Sequence, residues 1–332
     1  MQRPALKYVY IFKCTKILVR AKFGKFGYTY NFPFIVIVGI LSSMANALWG
    51  ILISIAVTRN GNFALTSEAM IVGLLIVPLL IVLYNRARPN LSFYPIMAGI
   101  FFGISNALLL SIFNYQNSAI IYSLIAPTII VFVAIQVIVK KKRIPEKSLI
   151  GLVFGGVVAG AGFILLSVAN INLYAISAYD ILLSLLLILL YGISGFLLTE
   201  TGLRSNDTST SLLTVDIFEG IAILPFMLFS AHVYVFSGLT YALLAGIIVA
   251  LGTYTSFAGF RTLQKSSNMV SYSSIIYILT ESDILFLALI YEIFVHALSV
   301  YTIFGILLIA GSIWYMSKKS DEAFAIEQAA GQ

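Results

Sequence analysis

Residues 34–56 read FIVIVGILSSMANALWGILISIA, and this stretch decides the fold. It holds no charged side chain. As a helix rising about 1.5 Å per residue it is long enough to cross a hydrocarbon layer of about 30 Å. Inside such a layer every backbone N–H and C=O must pair within its own segment, so the stretch is a helix and not an isolated strand. Nine further apolar stretches follow, at 65–84, 94–113, 119–139, 149–168, 181–198, 212–230, 241–260, 269–291 and 298–316. The polar linkers between them are short, so each span returns beside the one before it.

The whole chain agrees with this reading. Of its 332 residues, 60% are hydrophobic and only 10% charged, against about 25% charged in an average soluble domain. Mean hydropathy is +1.01. That composition excludes a soluble globule and a disordered chain, and leaves no room for a soluble catalytic domain. One cysteine, Cys14, excludes an internal disulfide, and His232 and His296 cannot by themselves complete a zinc site.

Lysine and arginine orient the spans. With the N-terminus in the cytoplasm, the inner segments carry 19 of the 20 basic residues and the outer segments only Arg59. The expected fold is all-α and integral to the membrane, with ten transmembrane helices and both termini cytoplasmic. The expected location is the cell membrane, in many passes. Residues 1–33 form a basic N-terminal segment, 34–168 and 177–316 two five-helix halves, and 317–332 a cytoplasmic tail. Residues 1–33 read either as an interfacial segment drawn to anionic lipid or as a plain basic tail.

The halves repeat each other. Leu48-Trp49-Gly50-Ile51 in the first span corresponds to Leu190-Tyr191-Gly192-Ile193 in the sixth. Gly99-Ile100-Phe101-Phe102-Gly103 corresponds to Gly246-Ile247-Ile248-Val249-Ala250, and the run opening at Gly151 to the run opening at Gly305. The offsets are 142, 147 and 154 residues. Five is odd, so the second copy enters the membrane from the opposite face. Inverted repeats are a recurring transporter architecture, because exchanging two slightly different shapes between the copies turns an inward-open state into an outward-open one.

Several motifs resemble the drug/metabolite transporter superfamily, in its ten-helix EamA-like branch. They are Trp49-Gly50, Asn117-Ser118-Ala119 leading to Ala126-Pro127-Thr128, and Leu149-Ile150-Gly151 with glycines to Gly162. The run Ala258-Gly259-Phe260-Arg261 into Lys265-Ser266-Ser267 completes the set. The resemblance extends from Phe34 to Met316. It implies that helices 1–4 and 6–9 surround a central cavity while helices 5 and 10 stand outside it. The chain departs from the family at the end of helix 4, where Val139 is followed by lysines, and at Thr280-Glu281-Ser282-Asp283, where a glutamate-proline pair is usual.

Ionisable groups deep in a membrane cost about 2.5–3.5 kcal/mol and mark functional sites. Glu281, twelve residues into the ninth span, is the deepest, and a carboxyl there suits a cationic solute or a carried proton. Asp283, two residues on, is expected on another helix face. Asp216 and Glu219, at i and i+3 on the seventh span, suit an inward vestibule or a helix start. Glu68, Asp180 and Glu292 suit interfacial or capping roles. Trp49, Asn106, Tyr122, Tyr191, Tyr254, Tyr272 and Tyr277 are expected along the solute path. Acids outnumber bases inside the spans, which favours cationic or zwitterionic solutes such as amines and amino acids.

The chain carries no phosphate-binding loop and no zinc-protease motif. The expected function is therefore an ATP-independent exporter or exchanger of a small organic metabolite, possessing no cofactor and no catalytic centre, and able to couple to protons through Glu281. A non-transporting receptor or scaffold subunit is the alternative, and a lipid-modifying enzyme stands behind it. Expected partners are the solute and membrane lipid, without nucleic acid, in a monomer or homodimer.

Overall fold

A computed structural model describes residues 31–60, 63–86, 88–113, 128–140, 144–168, 178–228, 238–264, 269–283 and 299–330. Every regular element among them is helical. In chain order these are α1 (Asn31–Asn60), α2 (Phe63–Asn85), α3 (Phe93–Phe113), α4 (Thr128–Lys140) and α5 (Glu146–Val168). The second half supplies α6 (Ala178–Arg204), α7 (Thr208–Leu228), α8 (Leu239–Thr262), α9 (Met269–Thr280) and α10 (Val300–Ala330). Seven of these are long and apolar enough to cross a membrane, and α3, α4 and α9 contain shorter apolar helices.

Local chemistry explains several boundaries. Pro33 and Pro95 lie in the first turns of α1 and α3, where a missing N–H costs nothing. Asp207 caps α7, its Oδ1 accepting from the Ser209 N–H at 3.2 Å, so the α6–α7 connection needs only three residues. Arg86, with φ of 51°, takes the left-handed turn that ends α2. α9 ends at Thr280 and a turn follows at 281–282, with Asp283 again helical; the rest of the expected span to 291 lies outside the described residues. Ser282 N–H bonds back to Leu279, tightening the last turn, and its hydroxyl bonds to the Ile278 carbonyl at 2.7 Å. At the other extreme, α10 continues to Ala330 through the expected tail. That tail is rich in helix formers and carries a Lys319–Glu322 ion pair at i, i+3.

Most helices separate an inward face from an apolar outer one, while α9 is buried along nearly its whole length. On α6, Ser184, Leu187 and Ser194 are buried, whereas Leu182, Leu185 and Leu189 are exposed. Exposed Ile138, Leu307 and Trp314 continue this outer surface, which water would not tolerate on a soluble protein.

The packing is pairwise. α8 lies against α1 and α2, α3 against α6 and α7, α9 against α1, and α4 against α6. α5 and α10 form a close pair at the side. Gly151 faces Lys319, Gly155 faces Met316, and Gly162 faces Gly305 and Ile309, so these two helices run antiparallel. The glycine stripe of α5 thus serves packing within one chain, while Gly311 of α10 has nothing within 4 Å.

One end of the bundle is tied by polar contacts. Lys140 at the end of α4 pairs with Glu200 of α6, which also pairs with Arg204 at 2.9 Å. The Arg204 guanidinium lies 4.3 Å above the Tyr94 ring at the start of α3. Gln264, after α8, donates to the Ser205 carbonyl at 2.7 Å, and Asn90 donates to Ser211 at 2.9 Å. At the opposite end, Arg59 stacks on Tyr241 where α1 ends and α8 begins.

Candidate functional site

Two apolar clusters fill the bundle. One gathers Trp49, Met70, Leu74, Leu109, Leu187 and Val249. The other gathers Phe132, Leu197, Phe257, Phe260, Ile276 and Tyr277. Between them lies a cavity whose wall takes residues from both. Its space for the centres of water molecules is about 110 Å³, room for several waters at roughly 10–15 Å³ each.

Five helices and one turn supply most of the wall. Ser42, Asn46 and Trp49 come from α1, Phe102 and Asn106 from α3, and Tyr191, Gly195 and Thr199 from α6. Thr253, Ser256, Phe257 and Phe260 come from α8, Tyr277 and Thr280 from α9, and Glu281 and Asp283 from the turn beyond it. Thr128, the first residue of α4, also touches the space. No described residue of α5 or α10 lines it, nor does any of α2 or α7, which were expected around the cavity.

The wall is ordered by hydrogen bonds. Ser256 donates to Ser42 at 2.7 Å, and Ser42 donates to the Gly252 carbonyl at 3.0 Å. Thr280 lies 3.2 Å from Ser256, and Asn46 donates to the Thr280 carbonyl at 3.3 Å. These contacts pin α1, α8 and the end of α9 together. On the opposite wall, Tyr191 donates to Asn106 Oδ1 at 2.7 Å, and Asn106 Nδ2 donates to Glu219 at 2.8 Å. Both functions of the amide are thus used, and its orientation is set.

Tyr277 is held from both sides. Its ring stacks on Phe132 at 3.9 Å. Across it lies Gly195, where any Cβ would strike the ring, so only glycine lets α6 approach this closely. The Tyr277 hydroxyl donates to the Tyr191 carbonyl at 3.4 Å. Trp49 points its Nε1 at Met70 Sδ, 3.5 Å away, leaving its ring on the cavity wall.

The expected site residues therefore separate into groups. Glu281, Trp49, Asn106, Tyr191 and Tyr277 come together at the cavity. Asp216 and Glu219 do not line it. Both are sealed in the α3–α7 contact, at 2% and 1% exposure, because Gly99 and Gly103 bring the α3 backbone against α7. Glu219 reaches the cavity only through Asn106. Tyr272 is buried in the apolar core and Tyr254 packs beside it. Tyr122, Pro127 and Glu292 lie outside the described residues.

Asp283 was expected on another face but lines the cavity with Glu281. The cause is the turn at 281–282: it breaks the helical register between Glu281 and Asp283, which a continuous helix would have turned to different faces. The sequence reading also passed over the Lys140–Glu200 pair. Its signal was an acid inside an apolar run with Arg204 four residues on. The aromatic positions 102, 257 and 260 carried no signal, since phenylalanine in a span serves lipid, core and cavity alike.

No family model matches the chain, and no curated protein matches it. Solved structures do. One, described only as "Crystal structure of protein", superposes with a TM-score of 0.64 at 13% sequence identity, covering 87% of this chain and 98% of the other. That likeness is one of fold, an all-helical architecture followed over nearly the whole of both chains.

Proposed function

We propose that this chain is an ATP-independent membrane transporter of a small organic solute, built as two inverted five-helix repeats that alternate the access of the central cavity. The observation that carries the reading is the pattern of helix neighbours. Exchange every helix for the one five places along, and the main contacts map onto themselves. α1–α8 becomes α6–α3, α2–α8 becomes α7–α3, and α1–α9 becomes α6–α4, while α5–α10 and α2–α7 map onto themselves.

Two further correspondences support it. Gly73 and Pro78 in α2 recur with the same spacing as Gly220 and Pro225 in α7, an offset of 147 residues. The same offset relates Gly99, where α3 presses on the α7 backbone, to Gly246, where α8 presses on the α2 backbone. The polar-tied end of the bundle carries Lys140, Arg204 and Arg261, which supports its facing the cytoplasm. Solute would enter the cavity between the two apolar clusters, and Glu281 would carry a proton or meet the solute there.

The test is side-specific labelling in proteoliposomes. In a Cys14→Ser background, single cysteines replace Leu109, near one end of the cavity, and Thr199, near the other. An impermeant thiol reagent is applied from each face, and flux of a metabolite panel is measured in parallel. Alternation predicts that a transported solute moves the two labelling rates in opposite directions, and that Glu281→Gln changes the flux or its pH dependence. Rates that move together, with no flux of any solute, would favour the receptor or scaffold reading.

A further inference from the structure

We infer that the cavity binds an organic cation, an onium or protonated amine with an apolar body, and rejects neutral and zwitterionic solutes of the same shape. This rests on the cavity being a solute site, and it narrows the chemistry of that site.

The wall carries two carboxyl groups, Glu281 and Asp283, and no lysine, arginine or histidine among the described residues. The two undescribed stretches that follow α3 and the turn after α9 agree with it. Residues 114–127, beyond α3, hold no basic residue, and residues 284–298, beyond the turn, hold only His296. No lysine or arginine from either segment can therefore enter the wall. A solute carboxylate would find no counter-charge here, and burying one unpaired is costly. A cation finds two.

The rest of the wall suits the same guest. Trp49, Phe102, Tyr191, Phe257 and Phe260 bring aromatic side chains to one small space. Ring faces attract cations by their quadrupole, most strongly where water is excluded, and such aromatic cages are a recurring solution for quaternary ammonium groups. The hydroxyls of Ser42, Ser256 and Thr280 are already engaged with one another or with backbone. Thr199 Oγ1, also on the wall, has no partner among the described residues, so one neutral hydrogen-bonding group stands beside the carboxyl groups and the aromatic surface.

The chain offers its own reporter. It has two tryptophans, Trp49 on the cavity wall and Trp314 on the outer face of α10. In full-length Trp314→Phe protein in detergent, Trp49 fluorescence is titrated with choline, benzyltrimethylammonium, 3,3-dimethylbutan-1-ol and glycine betaine. The third is the neutral isostere of choline, and the fourth adds a carboxylate to the onium group. Both cations should quench saturably, with affinities at least tenfold above the alcohol and the betaine. The Glu281→Gln variant should lose at least tenfold for both cations. A gap below tenfold between choline and its neutral isostere in the unsubstituted wall, or no quenching by either cation, overturns the inference. That comparison stands even if Glu281→Gln fails to fold. Binding is read with no gradient and no membrane to cross. A cation that binds but is never carried refutes transport alone, and a neutral solute that is carried without cation binding refutes this inference alone.

Discussion

Replacing Glu200 by glutamine removes the carboxylate that faces Lys140 across the α4–α6 contact. Both side chains are buried, Lys140 at 5% exposure and Glu200 at 3%, so solvent cannot take over the role of the lost partner. Breaking a buried ion pair from one side costs about 3–5 kcal/mol, because a charge stays behind in a poorly polarisable place. The second partner of Glu200 behaves differently. Arg204 is 53% exposed, so its ion pair contributes no more than about 1 kcal/mol, and its stacking on Tyr94 adds about 0.5–1 kcal/mol. The expected order is therefore Glu200→Gln well above Arg204→Gln in destabilisation, with the latter below about 2 kcal/mol. Removing both buried charges, in Lys140→Met with Glu200→Gln, should recover most of the loss, since two apolar or neutral groups need no counter-charge. Denaturation of the purified protein in detergent micelles, followed by helical circular dichroism, measures all three. The reasoning fails if Glu200→Gln lies within about 1 kcal/mol of wild type, or if the double variant is no more stable than Glu200→Gln alone.

Other substitutions test the packing and the wall. Gly246→Val drives a side chain into the Met70 carbonyl and the Leu74 backbone and should cost at least about 1–3 kcal/mol of stability. Gly311→Ala meets nothing and should be neutral or stabilising by up to about 1 kcal/mol in the same denaturation assay. Asn106→Leu strands the Tyr191 hydroxyl and the Glu219 carboxyl together, for an expected loss of about 1–3 kcal/mol per group left without a partner. Unchanged stability would show that Asn106 does not bridge them. Gly195→Ala should displace the Tyr277 ring, detectable as a changed near-ultraviolet circular dichroism signal with helix content retained.

Much of this architecture was legible in the chain itself. A segment such as 34–56 has no choice but to be a helix in hydrocarbon, because its backbone has nothing else to bond to. Hydropathy therefore marked the apolar helices, seven of which among the described residues are long enough to cross a membrane, while pairs such as Trp49-Gly50 and Tyr191-Gly192 suggest the proposed repeat. Which carboxyl faces the cavity was not legible. Glu281 and Glu219 look alike in sequence, each an acid in an apolar run. Glycine positions on α3 let one helix crossing seal Glu219 away, while the turn after Thr280 delivers Glu281 and Asp283 to the same space. The periodicity of a helix says which residues share a face. It does not say what that face meets, since that depends on the approach of a second helix far away in the chain, and a few ångströms of approach separate a lining residue from a buried one.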